Sequence, residues 1–158
     1  MEYLRDGRSP VPTDECVSAT MSRIRARNTK PELLVRRQLR ASGFTGYRLH
    51  HSKVPGRPDI AFVGRRLAVF VHGCFWHGHE CALFQPPDNN RAFWHEKIDS
   101  NRSRDARNIA TLTAKDWRVA VVWECALRGR GETALAKVAG RLARWLRDSA
   151  SDRIEVRR

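Results

Sequence analysis

Apolar positions along this chain follow two periods, interrupted by one stretch that follows neither. The first regular segment opens at Thr29-Lys30-Pro31-Glu32, which matches a capping box with Thr29 as N-cap and Glu32 at the third helical position. Pro31 stands in the first turn, where its missing N–H is tolerated. Leu34, Val35, Leu39 and Ala41 then form an apolar face, and Gly43 is a natural stop. Tyr47-Arg48-Leu49-His50 reads as a short strand, and Val54-Pro55-Gly56-Arg57-Pro58 as a turn. Asp59-Ile60-Ala61-Phe62-Val63 and Leu67-Ala68-Val69-Phe70-Val71 are apolar runs joined by Gly64-Arg65-Arg66, which predicts a hairpin of two buried strands. A polar helix follows from about Asn101 to Ala114, with Ala106, Ile109, Ala110 and Thr113 inward. Val119-Ala120-Val121-Val122-Trp123 is a further buried strand. The last helix, about Glu132 to Arg147, puts Leu135, Val138, Leu142, Trp145 and Leu146 on one side. This order predicts an α/β protein, a mixed sheet covered by helices on its faces. Residues 1–20 hold polar and Pro-rich clusters without a period and read as a flexible tail. Residues 21–148 read as a single domain and 149–158 as a basic tail.

Composition narrows the class. The 158 residues carry 30 Lys+Arg against 17 Asp+Glu, a formal charge of +13. Hydrophobic residues make up 41% of the chain, enough for a packed core. No run of about 18 apolar residues is present, so no transmembrane helix is expected. The N-terminus lacks a basic segment followed by an apolar one, so an intracellular protein is expected. The basic excess is uneven: from Met21 to Pro58 the sole acid among ten Lys and Arg is Glu32. That bias points first to nucleic acid and only weakly to a membrane surface, since no basic amphipathic helix dominates.

Residues 72–95 are the irregular stretch. They concentrate His72, His77, His79, His95, Cys74, Cys81, Phe75, Trp76, Phe93 and Trp94, too many reactive and aromatic groups for an ordinary connection. Cys74, His79 and Cys81 are spaced C-x4-H-x-C, and Cys125 follows the strand ending at Trp123. Thiolates and an imidazole select zinc in a tetrahedral site. The competing reading is two buried cysteines beside surface histidines, which leaves Gly73, Gly78 and the crowded histidines without a reason. Cys16, in the tail, is not expected to be a ligand. Asp59 sits where a turn enters a buried strand, inside the most basic part of the chain. It is either paired with an arginine or a magnesium ligand, since phosphodiester hydrolysis needs a hard cation held by few carboxylates. His72 and His77 follow the next strand and could serve as general acid or base. Glu32 is already explained by the capping box, though a capped helix start can also aim a carboxylate at a site.

In order along the chain stand Met21-Ser22-Arg23-Ile24-Arg25, Thr29-Lys30-Pro31-Glu32, Pro55-Gly56-Arg57-Pro58-Asp59, Val71-His72-Gly73-Cys74-Phe75-Trp76-His77-Gly78-His79, Phe93-Trp94 and Trp123-Glu124-Cys125-Ala126-Leu127. With these motifs the chain resembles the very short patch repair (Vsr) endonuclease family from about Met21 to Arg130. The resemblance implies a restriction-endonuclease-like fold with structural zinc. It implies a magnesium-dependent nick on the 5′ side of the thymine of a T:G mismatch, which arises by deamination of 5-methylcytosine. By position, Asp59 and the Val71 carbonyl would hold Mg²⁺, and His77 would be the general base. Glu32, His72 and Asp105 would complete the catalytic centre, and Cys74, His79, Cys81 and Cys125 would hold Zn²⁺. The wider nuclease superfamily has an acid and a lysine where Phe70-Val71-His72 stands, a departure that favours the Vsr variation. Read alone, Phe75, Trp76 and Trp94 are core rings. The resemblance makes them wedges entering DNA beside the mismatch, where base steps open most readily.

Arg23, Arg25 and Lys30 are expected to hold DNA phosphates, with salt-sensitive affinity and no choice of sequence. The expected partner is double-stranded DNA with a T:G mismatch, joined by mismatch-repair proteins. The expected state is a monomer in the cytoplasm, associated with the nucleoid and not with a membrane. Two alternatives stand beside this reading: a mismatch nuclease of relaxed specificity with the same fold, and a zinc-stabilised DNA-binding module without catalysis.

Overall fold

A computed structural model describes residues 27–148 and 151–158. The expected N-terminal tail, Cys16, Arg23 and Arg25 lie outside the described residues. Helix α1 spans Lys30–Ala41 and is followed by strands β1 (Arg48–Leu49), β2 (Ile60–Phe62) and β3 (Leu67–His72). Helix α2 (Arg91–Ala114), β4 (Arg118–Trp123), α3 (Glu132–Arg147) and β5 (Arg153–Val156) complete the order. The five strands form one sheet in the order β1-β2-β3-β4-β5, antiparallel from β1 to β3 and parallel from β3 to β5. The expected hairpin is present: Ile60 pairs with Val69 and Phe62 with Leu67. Arg66 closes it at φ 51°. Helices α2 and α3 are the crossovers that parallel neighbours require.

Alternation along β3 divides the core between the two faces of the sheet. Val69 and Val71 pack with Val35 and Leu39 of α1 and Leu142 and Leu146 of α3. Ala68 and Phe70 pack with Leu112 of α2 on the opposite side. Among the described residues, no helix is long and apolar enough to cross a membrane.

Three expectations need correction. Residues 149–158, expected as a basic tail, contain β5, which pairs in parallel with β4 from Val119↔Arg153 to Val122↔Val156. Its alternation is short and surrounded by arginines, so only the edge of β4 reveals it. Helix α2 begins at Arg91, ten residues before the expected start at Asn101, and takes Phe93, Trp94 and His95 out of the loop. Its inward side is Trp94, Ile98, Asn101 and Leu112, whereas Ala106, Ala110 and Thr113 face solvent. Two polar groups, Asn101 and Asp105, stand on the side turned to the sheet and weaken the apolar period there. On α1 the buried positions are Glu32, Val35, Arg36 and Leu39. Ala41, expected inward, is exposed, and a charged pair takes two of the four buried positions.

Candidate active site

The site is built from the chain leaving β3 and the turn entering β2. Asp59 immediately precedes β2, and its Oδ2 accepts the Val71 N–H at 2.7 Å. Burial pushes its carboxyl up to about 7, helped by the negative charge of Glu32 and opposed by the Val71 hydrogen bond and Arg36.

Glu32 is 3% exposed and enclosed by donors. The Thr29 hydroxyl reaches Oε1 at 3.0 Å, the Asn28 N–H reaches Oε2 at 3.0 Å, and Arg36 Nη2 reaches Oε2 at 3.0 Å. The capping box is therefore modified: the side chain reaches back to the N–H of Asn28, one residue before the N-cap. These bonds offset the cost of burying the carboxylate.

His50, whose place in the sequence suggests no chemical role, lies between the two carboxylates. Its Nε2 is 3.4 Å from Glu32 Oε2 and its Nδ1 is 3.6 Å from Asp59 Oδ1. Burial holds the imidazole below its usual value, reinforced by Arg36 and opposed by Glu32. The position is legible only as the end of a short strand; nothing local distinguishes it from an ordinary surface histidine.

The second group stands on the α2 side. His77 Nδ1 and Asp105 Oδ2 are 2.5 Å apart. An ionised Asp105 accepts the Nδ1 proton and leaves Nε2 of His77 free to take a proton, which is the geometry of an oriented general base. Burial works to raise Asp105, but the hydrogen bond and charge of His77 outweigh it and hold the carboxyl below its usual value. The His77 ring stacks on His72 at 3.8 Å with planes 1° apart. Burial pushes His72 down to about 3, aided by the charge of His77, so it is neutral at physiological pH. A cleft of about 480 Å³ opens beside this pair, lined by His72, His77, Asp105, Arg102, Arg153 and Arg157.

The third group is sulfur-rich. Donor atoms of Cys74, His79, Cys81 and Cys125 all lie within 4.8 Å of one another and could hold a metal ion. Cys74 leaves the end of β3, and Cys125 lies in the 3-10 turn Glu124–Ala126 after β4. Because β3 and β4 are parallel neighbours, with His72 beside Trp123, their C-terminal ends deliver two cysteines 51 residues apart to one place. Cys125 N–H reaches Cys74 Sγ at 3.4 Å, and Cys125 Sγ is 3.7 Å from His79 Nδ1. Burial pushes the Cys74 thiol up, so its thiolate would form here only with a cation bound.

Phe75 and Trp76, half-buried, are carried between Cys74 and His79, 5.2 Å apart and edge-on. Trp94 lies 5.3 Å from Phe75 and 5.7 Å from Trp76. It is 3% exposed, and in this conformation the ring packs behind the other two. Asn101 Nδ2 donates to the Trp76 carbonyl at 2.8 Å and ties the loop to α2. Lys30, at the exposed start of α1, is free to meet phosphate.

Two local predictions arise here. Gly78 has φ +61°, and a Cβ there would stand 2.6 Å from Ile98 Cγ2 and 2.9 Å from Arg102 Cδ. Gly78→Ala is expected to displace the loop from α2 and lower the melting temperature by several degrees, about 1–3 kcal/mol. An unchanged melting curve would contradict this packing. The second concerns Asp59. Its folded value near 7 lies above the ordinary 3.8, so the folded state holds the proton longer than the unfolded one. Stability of the chain without a catalytic metal therefore falls as pH rises from about 4 to about 7, by roughly 4 kcal/mol. Asp59→Asn should melt higher than the wild type at pH 8 without magnesium, with the difference closing near pH 4. Parallel melting curves from pH 4 to 8 would refute it.

Comparison of the sequence with known proteins identifies the family. The sequence model of the family described as DNA mismatch endonuclease Vsr matches residues 10–83. The chain is 50% identical over 111 residues to the type II nicking enzyme V.XorIIP of Xanthomonas oryzae pv. oryzae, covering 70% of this chain and 81% of that one. It is 41% identical over 129 residues to the DNA mismatch endonuclease Vsr of Escherichia coli, covering 82% of each. It is 39% identical over 132 residues to the type II nicking enzyme V.NmeAIP of Neisseria meningitidis serogroup A, covering 84% and 92%. On these identities, extending over most of each chain, the protein belongs to the Vsr family of DNA mismatch endonucleases and is an endodeoxyribonuclease.

Proposed function

We propose that the protein nicks double-stranded DNA on the 5′ side of the thymine of a T:G mismatch, on a restriction-endonuclease-like scaffold, and so begins very short patch repair. The observation that carries this reading is the junction made by two consecutive residues of β3. Val71 donates its N–H to Asp59, and His72 stacks on His77. One strand end thus joins a carboxylate fit for a hard cation to an oriented base.

Asp59 and the Val71 carbonyl would hold Mg²⁺, which when bound supplies positive charge to the scissile phosphate. His77 takes a proton from the attacking water at Nε2, and Asp105 stabilises the imidazolium so formed. Neutral His72 holds the His77 ring in plane and donates or accepts one hydrogen bond beside the phosphate. Glu32 adds negative charge next to Asp59. Cys74, His79, Cys81 and Cys125 would hold Zn²⁺, the ion that three thiolates and an imidazole select. Held there, the ion would fix the loop bearing His77, Phe75 and Trp76. Phe75 and Trp76 would enter the duplex at the mismatch, backed by Trp94. Lys30, with Arg23 and Arg25, would hold phosphates.

The test is a panel of duplexes with each mismatch in varied sequence contexts, scored for nicking with Mg²⁺. A nick 5′ to thymine in T:G pairs, absent from paired duplex, is expected. Equal cutting of other mismatches would replace strict T:G specificity with a relaxed nuclease. Binding without cutting under every divalent metal would leave only a DNA-binding module. Trp76→Ala should cost about tenfold or more in affinity for the T:G duplex, from the loss of one stacked ring. Its affinity for paired DNA should change less.

A further inference from the structure

We propose that His50 is a third protein ligand of the Asp59 metal centre, coordinating through Nδ1 while Glu32 holds its Nε2–H, and that this nitrogen makes the centre take Mn²⁺ more tightly than Mg²⁺. The inference rests on the reading that Asp59 holds the catalytic metal.

Single donor atoms of Glu32, His50 and Asp59 lie within 4.8 Å of one another. The His50 Nδ1 to Asp59 Oδ1 separation of 3.6 Å is too long for a hydrogen bond. Two ligands each about 2.1 Å from one hard divalent ion stand between about 3 and 4 Å apart, so the gap fits a bridging ion. Asp59 Oδ2 is occupied by the Val71 N–H, which leaves Oδ1, the atom facing His50, for the ion.

The opposite ring nitrogen points at a carboxylate, with Nε2 3.4 Å from Glu32 Oε2. A carboxylate behind a metal-binding histidine fixes its tautomer and raises its basicity. Arg36 Nη2 lies 3.0 Å from the same oxygen and 3.2 Å from Nε2. With the metal bound, Oε2 accepts from both donors. Without it, Nε2 accepts from Arg36 and the Nδ1 proton turns to Asp59.

The backbone also sets the ring. His50 has φ 46°, uncommon for a residue with a side chain, and its N–H is held by the Asp59 carbonyl at 3.4 Å. The ring is only 15% exposed, between α1 and the entry to β2. An imidazole nitrogen suits manganese and later transition ions, whereas magnesium prefers oxygen. Glu32 is then a positioning residue that acts on the metal through His50.

The experiment is Mn²⁺ binding to the full zinc-loaded chain, read by electron paramagnetic resonance with detection of nitrogen nuclei coupled to the ion. Wild type should show one coordinated imidazole nitrogen and bind Mn²⁺ more tightly than Mg²⁺. His50→Gln should lose the nitrogen coupling and bind Mn²⁺ about tenfold or more weakly, with a smaller change for Mg²⁺. Asp59→Asn should abolish binding at this centre. Absence of nitrogen coupling in the wild type overturns the proposal without need of any variant. Coupling that survives His50→Gln assigns the nitrogen elsewhere and also overturns it, while loss of binding in Asp59→Asn keeps the Asp59 centre. Unchanged Mn²⁺ binding in Asp59→Asn overturns both the centre and the proposal.

Discussion

Asp59→Ala is expected to lower the rate of Mg²⁺-dependent nicking by about a thousandfold or more, while binding to the mismatched duplex is retained. The magnitude follows from what a bound cation contributes: several kcal/mol of charge stabilisation at the transition state, at about 1.4 kcal/mol per factor of ten. Binding should survive because grip on the duplex is assigned to basic and aromatic groups other than Asp59. His77→Gln should show a smaller loss, about a hundred- to ten-thousandfold, since only the proton transfer is removed. Single-turnover nicking and equilibrium binding, measured separately, check both. Wild-type nicking by the Asp59→Ala chain would remove the metal centre from the mechanism.

Removal of the loop metal has the second largest expected effect, and it should be local in structure and complete in function. The loop from Gly73 to Phe84 has few buried apolar side chains of its own, whereas Cys74 is fully buried and Cys125 is 5% exposed. Structural zinc contributes on the order of 10 kcal/mol to the folding of small units, and a chain with a separate core loses only part of that. The sheet should persist, because Val69, Val71, Ala120 and Val122 pack with α1 and α3 in a core that includes neither Cys74 nor Cys125. Strong chelation, or Cys125→Ser, should therefore keep most helix and strand signal and lower the melting temperature by about 10 °C or more. It should alter the tryptophan environment and abolish nicking, because His77 lies between Cys74 and His79 on the same loop. Metal analysis of the purified chain should return one zinc per molecule. Full activity after removal of all metal from the cysteines would exclude this role.

The elements were legible where one period dominates. The Thr29 cap, the β2–β3 hairpin, β4 and α3 all carry local signals strong enough to be read along the chain. The start of α2 and the strand β5 were not. Residues 91–100 mix two aromatic rings with polar groups because their inner side lines a site, so the helical period is weak there. Strand β5 has no independent reason to be extended and becomes a strand by pairing with the edge of β4. The charged pair Glu32 and Arg36, spaced one helical turn apart, is buried, which no apolar period along the helix shows.

The sequence alone determined the residue types available for chemistry: two cysteines and a histidine clustered in one loop with Cys125 beyond, an acid at a strand entry, and two histidines after the next strand. Those follow from local spacing, because a strand end or a short loop delivers its own residues wherever it goes. Tertiary structure decided which of them meet. Parallel pairing of β3 and β4 brings Cys125 to Cys74, the packing of α2 across the sheet brings Asp105 to His77, and the turn of α1 brings Glu32 to His50 and Asp59. It also moved Trp94 beneath the other aromatic rings. Such encounters depend on the directions of elements far apart in the chain, and no local period encodes them. His50 is the clearest case: in sequence it is one histidine at the end of a short strand, and only the fold sets it between two carboxylates.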